Sequence, residues 1–158
     1  MNPELMKKMK RAGVSTVAFG LESASERVMA RLGKHMSVEK VAEAVRLAQS
    51  QDMEVELFTM FGLPYETFED AVETLEFVKK NKVKIMGNTN AQQMQIYFGT
   101  HVARHYEDYN IRPLNTKRPV YLSIGCQYET DHMSYSDINK VQDLWRAHSL
   151  DGGKRIVS

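Results

Sequence analysis

The chain has 158 residues, 42% of them hydrophobic, with 21 Lys and Arg against 20 Asp and Glu for a formal net charge of +1, and a single cysteine, Cys126. These figures describe one ordinary globular domain without the overall charge that would draw nucleic acid or an anionic membrane. One cysteine excludes an internal disulfide, a four-cysteine zinc site, and an iron–sulfur cluster held by this chain alone.

Asn2 suits an N-cap, Pro3 the first helical position and Gly13 the residue after the last turn, which predicts a helix with Leu5, Met6, Met9 and Ala12 on its apolar face. Its lysines and arginine replace the apolar segment of a signal peptide, and no run of about 18 apolar residues follows, so a cytoplasmic setting is expected. Ser15 to Leu21 is a short apolar, β-branched run of the length of a buried strand. Ser23 and Glu26 have capping-box spacing and predict a short helix through Val28, Met29 and Leu32 that stops at Gly33. Ser37 opens a longer helix with Val41, Ala44, Val45 and Ala48 at helical spacing and Met36 placed to staple against Val41.

Val55 to Phe61 reads as a second buried strand, broken by Gly62-Leu63-Pro64. Thr67 with Asp70 caps the next helix, whose face is Phe68, Ala71, Val72, Leu75 and Val78, and Lys79, Lys80 and Lys82 complement its C-terminal dipole. A third strand is expected within Asn90 to Tyr97, followed by a helix through Val102, Ala103 and Tyr106. Val120 to Ile124 reads as extended, and Ser134 caps a last helix expected to bury Ile138, Val141, Leu144 and Trp145. Strands alternating with helices argue for an α/β fold of βα units around a parallel sheet.

In such folds the ligand lies beyond the carboxyl ends of the strands. That directs attention to Glu22-Ser23, to the turn from Gly62 to Thr67, and to Tyr97 to Thr100. Glu22 either faces the ligand or only helps cap the helix after it. Gly62 and Gly99 either admit a flat ligand to the backbone or simply make tight turns. His101 and His105 are four apart, a spacing that puts two imidazoles on one helix face, but the acid of a zinc protease is missing and Arg104 lies between them. Cys126 reads as a small buried apolar residue. Tyr121, Tyr128 and Trp145 either line a pocket or pack in the core. No phosphate-cradling glycine motif occurs.

Taken in order, Lys10-Arg11-Ala12-Gly13-Val14, Phe19-Gly20-Leu21-Glu22-Ser23, Leu32-Gly33-Lys34, the run from Met60 to Thr67, and Tyr97-Phe98-Gly99-Thr100 resemble the radical SAM superfamily. The nearest likeness is to its cobalamin-binding-domain-associated and methylthiotransferase-like group, over roughly two-thirds of the chain from Pro3 to Tyr109. The resemblance implies a partial TIM-like (β/α) barrel with three βα units: residues 1–110 as its C-terminal half and 111–158 as an extension packed on the same domain. It also implies a cofactor surface of Glu22, Ser23 and Lys34, with Gly62, Leu63 and Pro64 near the adenine of S-adenosylmethionine and Phe61 as apolar support. Ala24 and Tyr65 replace family glycines, and Ile96 and Phe98 replace prolines. The family's CxxxCxxC loop, which holds the [4Fe–4S] cluster, is not in the sequence.

Two expectations follow. The first is a fragment of a radical SAM enzyme of the Fe–S oxidoreductase or methyltransferase type, cut between βα units, inactive alone, and completed by a cluster-bearing N-terminal half and possible cobalamin in the parent enzyme. The second is a non-catalytic half-barrel that associates with itself or a partner through its open strand edges.

Overall fold

A computed structural model describes residues 2–85, 93–114 and 128–151, with the side chains of 149–151 left aside. In chain order the elements are α1 (Pro3–Arg11), β1 (Thr16–Glu22), α2 (Glu26–Arg31), α3 (Val38–Gln49), β2 (Glu54–Thr59), α4 (Phe68–Lys80), β3 (Lys84–Ile85), α5 (His101–Arg104), a 3-10 turn (Glu107–Tyr109), β4 (Ile111–Pro113), β5 (Tyr128–Thr130) and α6 (Tyr135–Asp151). The fold is α/β, with the parallel sheet ordered β1-β2-β3 and a separate antiparallel pair, β4-β5.

The helix starts follow their caps. Asn2 accepts from the Glu4 amide at 2.9 Å, Ser37 caps α3, and Thr67 and Asp70 form the reciprocal capping box of α4. The turns from α1, α3 and α4 into the following strands each use a left-handed residue: Gly13, Asp52 and Lys82, at φ +92°, +53° and +51°. The repeated device brings each strand back alongside the last. β1 and β2 pair from Thr16↔Glu54 to Gly20↔Phe58, and an irregularity between Gly20 and Glu22 then pairs Glu22 with Thr59.

The third strand lies earlier than the sequence suggests. Lys82 reverses the chain, Val83 is buried, and Lys84 and Ile85 pair with Glu56 and Leu57. Asn90 to Gln92 lie outside the described residues. Beyond them Gln93 forms a parallel bridge to Phe61, and Met94 N–H donates to the Phe61 carbonyl at 2.9 Å.

β1 and β2 are buried on one face rather than two. Val17, Leu21, Val55 and Leu57 pack with Met6 of α1, Val41, Val45 and Ala48 of α3, and Val78 of α4. Each of the valine, leucine and methionine side chains contributes about 1.5–3 kcal/mol of burial. The opposite face carries Thr16, Ala18, Gly20, Glu54, Phe58 and Lys84, all exposed. Leu5 and Ala12 are exposed as well, and Met6 and Met9 are the residues of α1 that join the core against the sheet.

A second core holds Phe61, Ala71, Leu75, Ile96, Ile111, Tyr128, Met133, Ile138, Val141 and Trp145, with the Phe61 and Trp145 ring centroids 5.3 Å apart. Trp145 and Tyr128 are therefore core residues. Leu144 is 43% exposed, against expectation, because the buried stripe of α6 runs through Ile138, Val141, Gln142 and Trp145 at helical spacing and passes it by. Val120 to Ile124, with Tyr121 and Cys126, lies outside the described residues.

Candidate functional site

The carboxyl ends of β1 and β2 meet where the Met60 amide donates to the Glu22 carbonyl at 2.7 Å. Glu22 closes β1 in a left-handed conformation, φ +61°, which a non-glycine residue adopts at a cost. Its Oε1 would lie 3.3 Å from a Cβ added to Gly20, so the carboxylate lies back across the exposed face of the sheet. Lys34 Nζ stands 3.6 Å from that oxygen with more than half of its side chain exposed. An ion pair this open contributes at most about 1 kcal/mol, so both charges remain available to a ligand.

Ser23 is fully buried. Its hydroxyl accepts from the Ser25 amide at 3.1 Å and lies 3.3 Å from the Thr74 hydroxyl on α4. This corrects the expected capping box: Ser25 is the N-cap of α2, and Glu26 instead accepts from the Val38 amide at the start of α3. Ser23 is drawn inward by Thr74 and cannot also serve the helix end.

The turn after β2 is organised by Glu66, which sequence reasoning passed over. Its Oε2 accepts from the Gly62 amide at 2.6 Å and the Leu63 amide at 3.1 Å, while Oε1 is buried with no hydrogen-bond partner among the described residues. Burial pushes the carboxyl up to about 8, against the pull of the Leu63 and Gly62 amides. Gly62, at φ +76°, has the Tyr128 hydroxyl at 2.8 Å from its carbonyl, and a Cβ there would stand 2.9 Å from the same hydroxyl oxygen. Gly62, Leu63 and Pro64 are all buried. The only available signal for Glu66 was its place three residues after a Gly-Leu pair, the reach from which a carboxylate can close back on the turn's own amides.

Tyr65 stands where the resembled family has glycine and keeps the glycine conformation, φ +66°. Its side chain leaves the turn: Arg31 lies 5.4 Å over the ring and the hydroxyl donates to the Asp108 carbonyl at 2.8 Å. Arg27 donates to the Tyr65 carbonyl and to Asp70. Asp70 also accepts from the Ser25 hydroxyl at 2.6 Å and from the Thr67 amide and hydroxyl. Burial would raise its pKa, but the Ser25, Thr67 and Arg27 donors outweigh it and hold the carboxyl below its usual range.

The structure thus brings Glu22, Ser23 and Lys34 together at one strand end, with the Gly62 turn following the adjacent strand. Gly99 is exposed in a left-handed turn at φ +81°, with open space around it.

Residues 1–78 match the model of the radical SAM superfamily. An uncharacterized methyltransferase of Pyrococcus horikoshii is 35% identical over 79 residues, which are 50% of this chain and 17% of that protein. An uncharacterized protein of Methanocaldococcus jannaschii is 26% identical over 145 residues, covering 89% of this chain and 31% of its own length. Among solved structures, the radical S-adenosylmethionine methyltransferase TsrM from Kitasatospora setae, with cobalamin and a [4Fe–4S] cluster bound, shares the fold at TM-score 0.59 and 14% identity over 75% of this chain and 25% of its own. The same enzyme with tryptophan and a SAM analogue bound matches equally well. The chain spans less than a third of each of these proteins.

Proposed function

Residues 1–78 match the radical SAM superfamily, and on that premise we propose that the chain forms part of the S-adenosylmethionine-binding wall of a methyltransferase-type enzyme. The observation that carries this reading is the Glu22 carboxylate lying over Gly20 beside Lys34, a cradle that any side chain at Gly20 would fill. A zwitterionic ligand with ribose hydroxyls suits it: Glu22 accepts from hydroxyl or ammonium donors, and Lys34 meets a carboxylate. Gly62, Leu63 and Pro64 shape the turn toward the adenine, and Ser23, tied to Thr74, holds the Glu22 turn in place. When bound, S-adenosylmethionine supplies a transferable methyl group or, on one-electron reduction, a hydrogen-abstracting radical.

The residues do not fit a [4Fe–4S] cluster, because one cysteine cannot supply three thiolates. We therefore assign the cluster, and any cobalamin, to a part of the enzyme outside these 158 residues, with the chain inactive by itself and working in the cytoplasm. In this reading residues 1–110 are the second half of the barrel, 111–158 its extension, and β1 offers its free edge to the missing half.

Isothermal titration of the full chain with S-adenosylmethionine tests the proposal. Saturable binding that Glu22→Ala abolishes supports it, and no binding overturns it. A second reading, a self-associating half-barrel, is favoured by Phe58, 47% exposed on the uncovered sheet face. Sedimentation that finds only monomer at high concentration removes that reading.

A further inference from the structure

His101 opens α5 and His105 follows its last residue, and the pair has a chemistry of its own. The rings of His101 and His105 stack with centroids 4.1 Å apart and planes 25° from parallel, and both residues are exposed. His105 Nδ1 lies 2.9 Å from the His101 carbonyl. A carbonyl only accepts, so Nδ1 carries the proton, and in the neutral form of the ring the lone pair is on Nε2. This is the tautomer that a metal ligand requires, fixed in the way that metal-bound histidines are commonly fixed, by a backbone carbonyl on the other nitrogen. His101 Nδ1 lies 3.2 Å from the Tyr109 hydroxyl, and Tyr109 meets the His101 ring edge-on at 5.9 Å. With Nδ1–H donating to that hydroxyl, His101 also presents a free Nε2.

Arg104, between the two histidines in sequence, is no obstacle. Its guanidinium donates to the Gly99 carbonyl and is held on the preceding turn. Neither Nε2 has a hydrogen-bond partner among the described residues.

We propose that His101 and His105 form a surface site for one divalent transition-metal ion through their Nε2 atoms, with Tyr109 as the positioning residue of His101. Both side chains are exposed and their ring centroids lie 4.1 Å apart, which puts two imidazole nitrogens within reach of a single ion. No group of three or more His, Cys, Asp or Glu suited to a metal occurs among the described residues, so the protein supplies two ligands and water completes the coordination. Imidazole donors select copper(II), nickel(II) and zinc(II) over magnesium and calcium, with copper(II) strongest.

The test is titration of the full chain with nickel(II) alone, read by calorimetry, and with copper(II) alone, read by electron paramagnetic resonance. The expected result is one saturating ion per chain, at least about tenfold weaker binding in each of His101→Ala and His105→Ala, and unchanged binding in His132→Ala. Copper(II) should also broaden the ring-proton signals of His101 and His105 in the unsubstituted chain at substoichiometric metal, a readout that does not depend on the variants folding. Absence of saturable binding below millimolar metal, binding undiminished in either His101→Ala or His105→Ala, or broadening confined to other histidines would overturn the proposal.

Discussion

The Tyr128 hydroxyl donates to the Gly62 carbonyl at 2.8 Å and lies 3.0 Å from the Met94 carbonyl, its one proton serving both. A residue of β5 thereby holds the turn at the end of β2, across 66 positions of sequence. Tyr128→Phe leaves the buried Gly62 carbonyl short of a donor and should cost about 1–3 kcal/mol. Gly62→Ala should cost more, because it adds strain at φ +76° to a 2.9 Å clash with the same oxygen. Urea denaturation of both variants checks the size and the order.

Glu66 should make stability depend on pH in an unusual direction for a carboxylate. Its folded pKa, about 8, lies above the ordinary 4.5, so the native state binds more protons between those values. The contribution is complete below about 4.5 and is lost as pH rises toward 8, at about 1.4 kcal/mol per unit of difference. Glu66→Gln keeps an oxygen for the Gly62 and Leu63 amides and does not titrate, so unfolding measured from pH 4.5 to 8 should lose this slope. An unchanged slope would assign it to another group.

Asp70 works in the opposite sense. Its carboxyl is held below the usual 3.8 by Ser25, Thr67 and Arg27, so its contribution is present above that value and disappears as the solution is acidified through the lower folded pKa. Asp70→Asn should destabilise the chain by about 1–3 kcal/mol at pH 7, since one substitution weakens the α4 cap and removes the charge that joins α2 to α4. Chemical denaturation at pH 7 and below pH 3 should show the gap between wild type and variant narrowing in acid.

Gly20 separates the proposed ligand role from stability. It lies on the uncovered face of β1, where a β-branched side chain suits the strand, so Gly20→Val should leave the unfolding midpoint nearly unchanged. The same side chain displaces the Glu22 carboxylate, whose oxygen stands 3.3 Å from the new Cβ. Calorimetry with S-adenosylmethionine should then show binding lost in a fully folded protein.

Lys34→Ala should weaken the same titration by roughly tenfold while changing stability by less than about 1 kcal/mol, as expected of a half-solvated cation 3.6 Å from Glu22. A large loss of stability would mean that the pair is structural.

What was legible in the chain was local. Caps such as Asn2, Ser37, Thr67 and Ser134, the β-branched run of β1, and the placement of Glu22 at a strand end all rest on contacts between residues a few positions apart, and those patterns repeat across proteins. The sequence by itself therefore determined the α/β alternation, the parallel strands, and a cysteine count too low for a cluster. Tertiary structure decided the rest. Ser23 turned from cap to buried partner because Thr74 of α4 reaches it, and Tyr65 left its turn because Asp108 accepts its hydroxyl. Glu66 became a buried acid, and Tyr128 a latch on Gly62, through packing that no periodicity encodes. Burial and long-range hydrogen bonds depend on which elements meet, and at this site that meeting sets both the charge of a carboxyl and the shape of the turn.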